Sequence, residues 1–371
     1  MPARKSSSGT DHGVTLRRSR GEILWTCLWL FALFVAGNLL IGWTKGDRLL
    51  TVRMTHYLLP WFLLCLLAAM IPAALSRRVW LMSALALPAL VIAFQYLPLF
   101  LPGAGRPPGN YFPLKVMSFN VWSENRSLAP VAKLIQEENP DILLLQEINP
   151  EQMLELRRFL AGPSGAGEPK LNFVYAPHLL QAVASPYPVT QLMANRKKGK
   201  MQEVRVMTPA GEIEVFNVHP LRGNWKRRHR QMATLLHEDI LSAGKPVILA
   251  GDFNTTDKSE TYQLLSRYLR NAHWEAGWGF GFSYPADLHA WQKYLPAWPL
   301  VRIDHIFYSP QFSAISAKTL STSAGSDHFP VIADLALKKS NERQNPPVST
   351  ISAGSQKKTK TTNPIRKGMD G

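Results

Sequence analysis

The sequence predicts two parts: three transmembrane helices, then an α/β domain in which strands alternate with amphipathic helices. Three observations point there. The apolar residues of the first hundred positions gather into three runs without a charge. From 114 to 337, short β-type runs alternate with stretches of helical period. Acids, amides and histidines recur where the predicted strands end.

The apolar runs cover 23–43, 57–75 and 79–101. Each is close to the roughly 20 residues that a helix needs to cross a bilayer core. The first follows Arg17, Arg18 and Arg20, as a signal peptide would, but its length and the two further runs favour an uncleaved anchor. Arg4, Lys5 and those three arginines precede the first span, and Arg77 and Arg78 lie in the turn between the second and third. The positive-inside rule therefore puts residues 1–22 in the cytoplasm, and three crossings put everything after Leu101 outside. The expected location is a bacterial inner membrane, multi-pass, with the α/β domain extracytoplasmic.

The formal charge of the 371-residue chain is +16. That excess does not announce a nucleic-acid binder, because its distribution is uneven. Residues 1–106 hold 11 Lys/Arg against 3 Asp/Glu, residues 107–337 hold 23 against 21, and residues 338–371 hold 8 against 2. Most of the charge is a topology signal and a basic tail expected to be disordered. Cys27 and Cys65 both fall inside spans, so the domain has no thiol for a disulfide or a Cys-ligated zinc.

Segment 102–113 is rich in Pro and Gly and reads as a linker. Strands are expected at 114–122 and 141–147, in the short runs around 173–177, 181–185 and 189–194, in a hairpin over 202–220, and at 246–252, 301–309 and 328–337. Helices are expected at 128–140, 151–160, 224–243 and 259–269, with a loop at 161–170. Between Trp274 and Trp298 lies an aromatic-rich insertion, suited to stacking, to a bilayer surface or to packing on the core.

The chemistry-bearing residues sit at strand ends. Asn120, Glu147, Asn217 with His219, Asp252 with Asn254, Asp304, and Asp327 with His328 all do so. A single Asp or Asn there is ordinary turn chemistry. Six strands ending this way make a site. Carboxylates without thiols favour Mg²⁺ or Mn²⁺ over Zn²⁺. Amides can donate to phosphoryl oxygens, and histidines can move protons or hold a negative oxygen. Asp252 and Asn254, two apart on an extended chain, would point to one side. The set suits metal-assisted hydrolysis of a phosphate ester.

The segments SFNVW, LLLQE, FNVHP, LAGDFN, RIDHIF and SDHFPVIADL, in this order over about 114–337, resemble the endonuclease/exonuclease/phosphatase superfamily, which includes deoxyribonuclease I. Three spans before such a domain resemble its membrane-anchored bacterial branch. The resemblance implies a four-layer α/β/β/α sandwich and a Mg²⁺-dependent phosphoric ester hydrolase. By matched position it implies Asn120, Glu147 and Asp327 at the metal. It implies Asp252 on the attacking water, Asn254 at the transition state and His219 as phosphate contact or general acid. It puts His328 at the phosphate, with Asp304 behind it. Asn217 and Arg222 join the substrate side. The family's basic residue before an aromatic-Pro step is replaced here by Pro186, and Tyr187 is left as a candidate phosphate contact.

Three functions fit: an extracytoplasmic phosphodiesterase or nuclease, a phospholipid or small-phosphate hydrolase working at the membrane, and a binding module without catalysis. The full residue set disfavours the last.

Overall fold

The computed structural model describes residues 11–101, 103, 109–161, 171–195, 201–286 and 298–338. The expected disordered tail, part of the linker, most of the 161–170 loop and 287–297 of the aromatic insertion lie outside these.

Helix α1 (Asp11–Lys45) is followed by α2 (Leu50–Tyr57), α3 (Leu59–Leu75) and α4 (Val79–Tyr96). α1 and α4 contain the stretches long and apolar enough to cross a membrane. The expected second span is broken: α2 and α3 meet at 81° and count as a third crossing only when taken together. The break falls at Leu58, just before the Leu59-Pro60 step, where a residue without an N–H must stand in the first turn of a helix. Arg78, in the turn between α3 and α4, lies 4.4 Å over the ring of Trp25 near the start of the apolar stretch of α1. The end of α1, the start of α3 and the end of α4 all lie at the opposite end, against the α/β domain.

That domain holds two mixed six-stranded sheets. The first comprises β1 (Tyr111–Asn120), β2 (Ile142–Gln146), β3 (Asn172–Ala176), β4 (Gln181–Ser185), β11 (Phe312–Thr319) and β12 (Val331–Lys338), in the order β11-β12-β1-β2-β4-β3. The second comprises β5 (Val189–Asn195), β6 (Met201–Thr208), β7 (Gly211–Val218), β8 (Val247–Asp252), β9 (Arg270–Asn271) and β10 (Asp304–Tyr308), in the order β5-β6-β7-β8-β10-β9. β1 begins at Tyr111, inside the segment expected to be linker. β11 and β9 have no counterpart among the expected strands.

Apolar side chains fill the space between the sheets, among them Val116, Leu144, Val215, Ile248 and Tyr308. A second cluster joins the first sheet to α5 (Ala129–Glu138) and α6 (Pro150–Leu160) through residues such as Phe119, Leu145, Ile135 and Leu156. A third joins the second sheet to α7 (Trp225–Thr234, continued by a π-helical turn Leu235–Ile240) and α8 (Glu260–Leu265). The expected α/β/β/α order is therefore present. Local signals fix the helix starts: Asn149 and Gln152 form a reciprocal capping box on α6, and Ser259 caps α8 through Tyr262 N. α5 ends where Asn139 turns left-handed before Pro140.

The aromatic insertion packs on the apolar helices. Trp274 stacks on Tyr96, Phe280 meets Tyr96 and Phe100 edge-on, and Phe282 stacks on Trp61 with centroids 5.8 Å apart. Trp61 Nε1 donates to the Leu300 carbonyl at 2.8 Å, and Lys258 Nζ lies 4.5 Å from the rings of both Tyr96 and Trp274.

Asn217, expected at the substrate, is fully buried on β7 between the sheets. Its amide donates to the carbonyls of Leu145 and Ala182 at 2.9 and 3.1 Å, and its oxygen accepts from Gln146 Nε2 at 2.8 Å. A side chain so enclosed joins the two sheets and has no path to a ligand. Asn217→Ala should lower thermal stability by about 2–4 kcal/mol, because it removes three buried hydrogen bonds. The surviving folded protein should keep its KM. A KM rise without a stability loss would return Asn217 to the substrate.

Candidate active site

Four strands deliver the site from their C-terminal ends. β1 and β2 run parallel with Asn120 opposite Gln146, so Asn120 and Glu147 leave one edge of the first sheet together. β7 and β8 run parallel with Val218 opposite Gly251, which sets His219 beside Asp252 on the matching edge of the second sheet. The close approach of β7 and β8 requires glycine: a Cβ on Gly251, at φ +149°, would stand 2.0 Å from the Val218 carbonyl oxygen. β10 runs antiparallel to β8 and puts Asp304 directly opposite Asp252. The loop before β12 adds Asp327 and His328.

Side chains from these ends converge. Asn120 Nδ2 donates to Glu147 Oε1 and to Asp252 Oδ2, both at 3.2 Å. Its own oxygen accepts from Trp122 N at 3.0 Å. His219 Nε2 lies 3.4 Å from Glu147 Oε1 and 3.5 Å from Asp252 Oδ2. His328 Nδ1 donates to Asp304 Oδ2 at 2.9 Å, and its Nε2 lies 3.7 Å from Asp252 Oδ2. Ser283 Oγ also donates to Asp304 Oδ2, at 2.6 Å. Around these groups is a cavity of about 320 Å³, lined by Glu147, His219, Asp252, Asn254, Asp327 and His328 together with Trp122, Arg222 and Tyr284 among others.

The Asp-x-Asn pair does not sit on an extended chain as expected. Asp252 ends β8, and Asn254 has φ +50°. Asn254 N donates to Asp252 Oδ1 at 2.8 Å, while Asn254 Nδ2 donates to Asp252 Oδ2 and the Pro220 carbonyl, both at 3.3 Å. The two side chains share the cavity because the chain turns between them, an Asx turn closed by Asp252 itself.

Burial opposes an imidazolium at His328, but Asp304, Asp252 and Asp327 outweigh it and push its pKa up to about 10. Burial also raises the Asp327 carboxyl above its usual range; Glu147 and Asp252 add to the rise, and His328 works against it. Asp327 Oδ1 is buried and has no hydrogen-bond partner among the described residues. Two groups place one ligand atom per residue within 4.8 Å of each other, Glu147 with His219 and Asp252, and Asp252 with Asp304 and His328.

Tyr187 is not brought to this cavity. It packs on Phe112 beside Asp141 at the opposite end of the first sheet, since Ser185 lies beyond the Leu143–Ala184 pair while the site lies beyond Gln146–Gln181. Pro186, next to it, stands at that far end too, so the absent cation of position 186 is not absent from the site. Arg222 does line the cavity; it bonds the Tyr284 hydroxyl at 2.8 Å and lies 5.3 Å over its ring. The Tyr284 ring in turn packs against His328, tilted by 47° with centroids 4.8 Å apart. Tyr284, Ser283 and Trp122 were not singled out in the sequence. Only the chain's return past the strand ends places them here.

The sequence profile described as "Endonuclease/Exonuclease/phosphatase family" matches residues 117–328. No curated protein matches the chain. Among solved structures, an endonuclease/exonuclease/phosphatase family protein from Bacteroides thetaiotaomicron is 18% identical, covering 62% of this chain and 100% of its own, with a TM-score of 0.50. The mannosyl-6-phosphatase of the same species is 20% identical over 60% of this chain and 99% of its own, with a TM-score of 0.46. D. rerio TDP2, solved with a single-strand DNA product, is 17% identical over 60% of this chain and 98% of its own, with a TM-score of 0.47. Likeness at these levels reaches the fold and leaves substrate open. The profile match covers more than half of the chain and every residue that converges on the cavity: the chain belongs to the endonuclease/exonuclease/phosphatase family, and is a hydrolase of phosphate esters.

Proposed function

We propose that this is a membrane-anchored hydrolase that uses a divalent metal, Mg²⁺ or Mn²⁺, to cleave a phosphate ester outside the cytoplasm. The observation that carries it is the convergence of three carboxylates, two histidines, an amide and one arginine on one cavity. The donor set fits a hard cation. Glu147 and Asp252 offer oxygens beside His219, and the unpartnered Asp327 Oδ1 is a buried acceptor in need of a positive charge. Glu147 and Asp327 would hold the ion. Asn120, expected at the metal, orients Glu147 and Asp252 through its N–H groups, and its oxygen accepts from Trp122 N. Bound there, the metal supplies charge neutralisation at the phosphate.

The chain's own groups do the rest. Asp252, backed by the turn to Asn254, orients a water and takes up its proton. The Asn254 amide and His219 lie along the cavity wall to donate to phosphoryl oxygens as charge grows on them. His328, held as an imidazolium by Asp304, gives a fixed positive donor on the other side. Arg222, held by Tyr284, binds the substrate's remaining negative charge.

The anchor supports a second, narrower reading of the substrate. Phe282 stacks on Trp61 of α3, and Tyr284 packs against His328. Two residues span at most about 7 Å of chain. A cavity so close to the apolar helices suits the headgroup of a phospholipid better than a long duplex. The near-neutral domain gives little long-range pull on nucleic acid. The helix ends also support three crossings: α1 and α4 both finish against the domain, α3 starts there, and the α3–α4 turn meets Trp25 at the far end.

Three outcomes are expected. The full chain in detergent should hydrolyse p-nitrophenyl phosphate mono- or diesters with Mg²⁺, stop in excess EDTA and recover with Mg²⁺ or Mn²⁺; equal rates in EDTA remove the metal. His328→Ala should lower stability and, in the protein that folds, cut kcat by roughly a hundred- to thousand-fold, and Asp304→Asn by less, since it disturbs the partner and not the donor; near-normal turnover in folded His328→Ala would overturn its role. A reporter active only outside the cytoplasm, fused after Leu337, should be active; activity only in a cytoplasmic reporter would mean an even number of crossings.

A further inference from the structure

One of the polar contacts between the apolar helices and the domain reaches a backbone atom of the active-site turn. Asn254 has four polar groups. Its N–H and its side-chain amide are used within the turn and on Pro220. Its carbonyl oxygen accepts from the hydroxyl of Tyr57, the last residue of α2, at 2.6 Å. The same hydroxyl accepts from Arg228 Nη2 at 3.2 Å. Arg228, on α7, is 5% exposed, and its Nη1 reaches the Leu221 carbonyl at 3.4 Å. Leu221 belongs to the 219–222 segment that carries His219 and Arg222 along the cavity. One hydroxyl thus sits between the Asp252–Asn254 turn and the cation that braces the opposite cavity wall.

Tyr57 is itself held. The buried Asp47, in the turn between α1 and α2, has one carboxylate oxygen 2.7 Å from His56 Nδ1. Its other oxygen accepts from Glu260 N, at the start of α8, at 3.0 Å. α2 is therefore fastened to the domain ahead of Tyr57, through Asp47. Asn tolerates the left-handed conformation of position 254, so its exact setting is fixed by the bonds around it. Here the constraint on its carbonyl side comes from the apolar helical segment.

We propose that Tyr57 is a positioning residue of the hydrolase, and that through it and Arg228 the N-terminal helices complete the active site as well as anchoring it. The proposal rests on Asp252 and Asn254 working as described above. Losing the hydroxyl frees the Asn254 carbonyl and loosens the amide that meets the phosphate, so the cost falls on kcat.

The test uses the full chain in detergent with Mg²⁺ and whichever p-nitrophenyl ester the wild type cleaves. Tyr57→Phe should lower kcat about tenfold, the scale of one lost hydrogen bond, with KM within about twofold. Trp61→Phe, which removes a docking bond that does not touch the turn, should leave kcat unchanged. Arg228→Leu should lower kcat in the same direction as Tyr57→Phe, and it carries the test should Tyr57→Phe fail to fold. Adding Tyr57→Phe to Asn254→Ala should cost little beyond Asn254→Ala alone, since both act on one turn. Normal kcat in folded Tyr57→Phe, full additivity in the double variant, or an equal kcat loss in Trp61→Phe would each overturn the proposal. Asp252→Asn separates the two ideas: a dead Asp252→Asn with a normal Tyr57→Phe sinks only the positioning role, and an active Asp252→Asn sinks the site on which it rests.

Discussion

Asp252 and Asp304 stand opposite each other on the β8–β10 ladder, both 2% exposed. Directly paired residues on one sheet face lie about 5 Å apart, and two like charges there work against the pairing. His328 resolves the conflict. Its ring lies between them, 2.9 Å from Asp304 and 3.7 Å from Asp252. Its position is set from the other sheet, because Ser326 Oγ donates to the Asn120 carbonyl at 2.6 Å and accepts from His328 N at 3.1 Å. One buried cation therefore lets the second sheet close with two acids in register. It also ties that sheet's edge to the end of β1. Taking it away leaves two uncompensated buried charges, the costly case for any ion group in a core.

The strand ends share a second feature. Trp122, Glu147 and Asn254 all have φ between +50° and +62°, just past the ends of β1, β2 and β8. Asn tolerates this region; for a residue with a long side chain it costs of order 1–3 kcal/mol. Each of these residues turns the chain sharply off its sheet at the cavity rim. The strain is met by the bonds already in place: Asn120 to Trp122 N, Asn120 to Glu147, Asp252 to Asn254 N. The same bonds that hold the backbone orient the groups that would meet the phosphate.

Much of this was legible. Strands bounded by Pro, Gly and Asn, and helices opened by Asn149 and Ser259, carry local signals, and the structure places elements where those signals fall. The residues at the strand ends were legible as a set, because acids, amides and histidines at six ends exceed what turns require. What failed did so for lack of local information. Asn217 on β7 faces the space between the sheets, while His219, two residues on and past the strand end, reaches the cavity. Tyr187 looked chemical beside Pro186, but whether a loop lies at the site end of its strand or the far end is decided by sheet order. β11 has few β-branched residues, and the break at Leu58 hides inside an unbroken apolar run. Tyr284 and Ser283 reach the site from an insertion whose aromatics read first as packing on the core, which says nothing of a site.

The insertion settles how the helices and the site relate. Its residues alternate in task along a short stretch of chain: Phe280 and Phe282 pack on Tyr96, Phe100 and Trp61, while Ser283 and Tyr284 hold Asp304 and His328. From the other side, Tyr57 reaches the Asn254 carbonyl. The His328 ring and the Asp252–Asn254 turn thus each rest, within a few residues, on the apolar helical bundle. A tether would need neither contact, since a flexible linker holds a domain at a membrane without bonding to it. Removing the bundle would uncover Trp274, Phe280 and Phe282 together and take the Tyr57 hydroxyl from Asn254, costing solubility and site geometry in one step. In this chain the surface that docks the apolar helices is continuous, through Phe282 and Tyr284, with the surface that shapes the cavity.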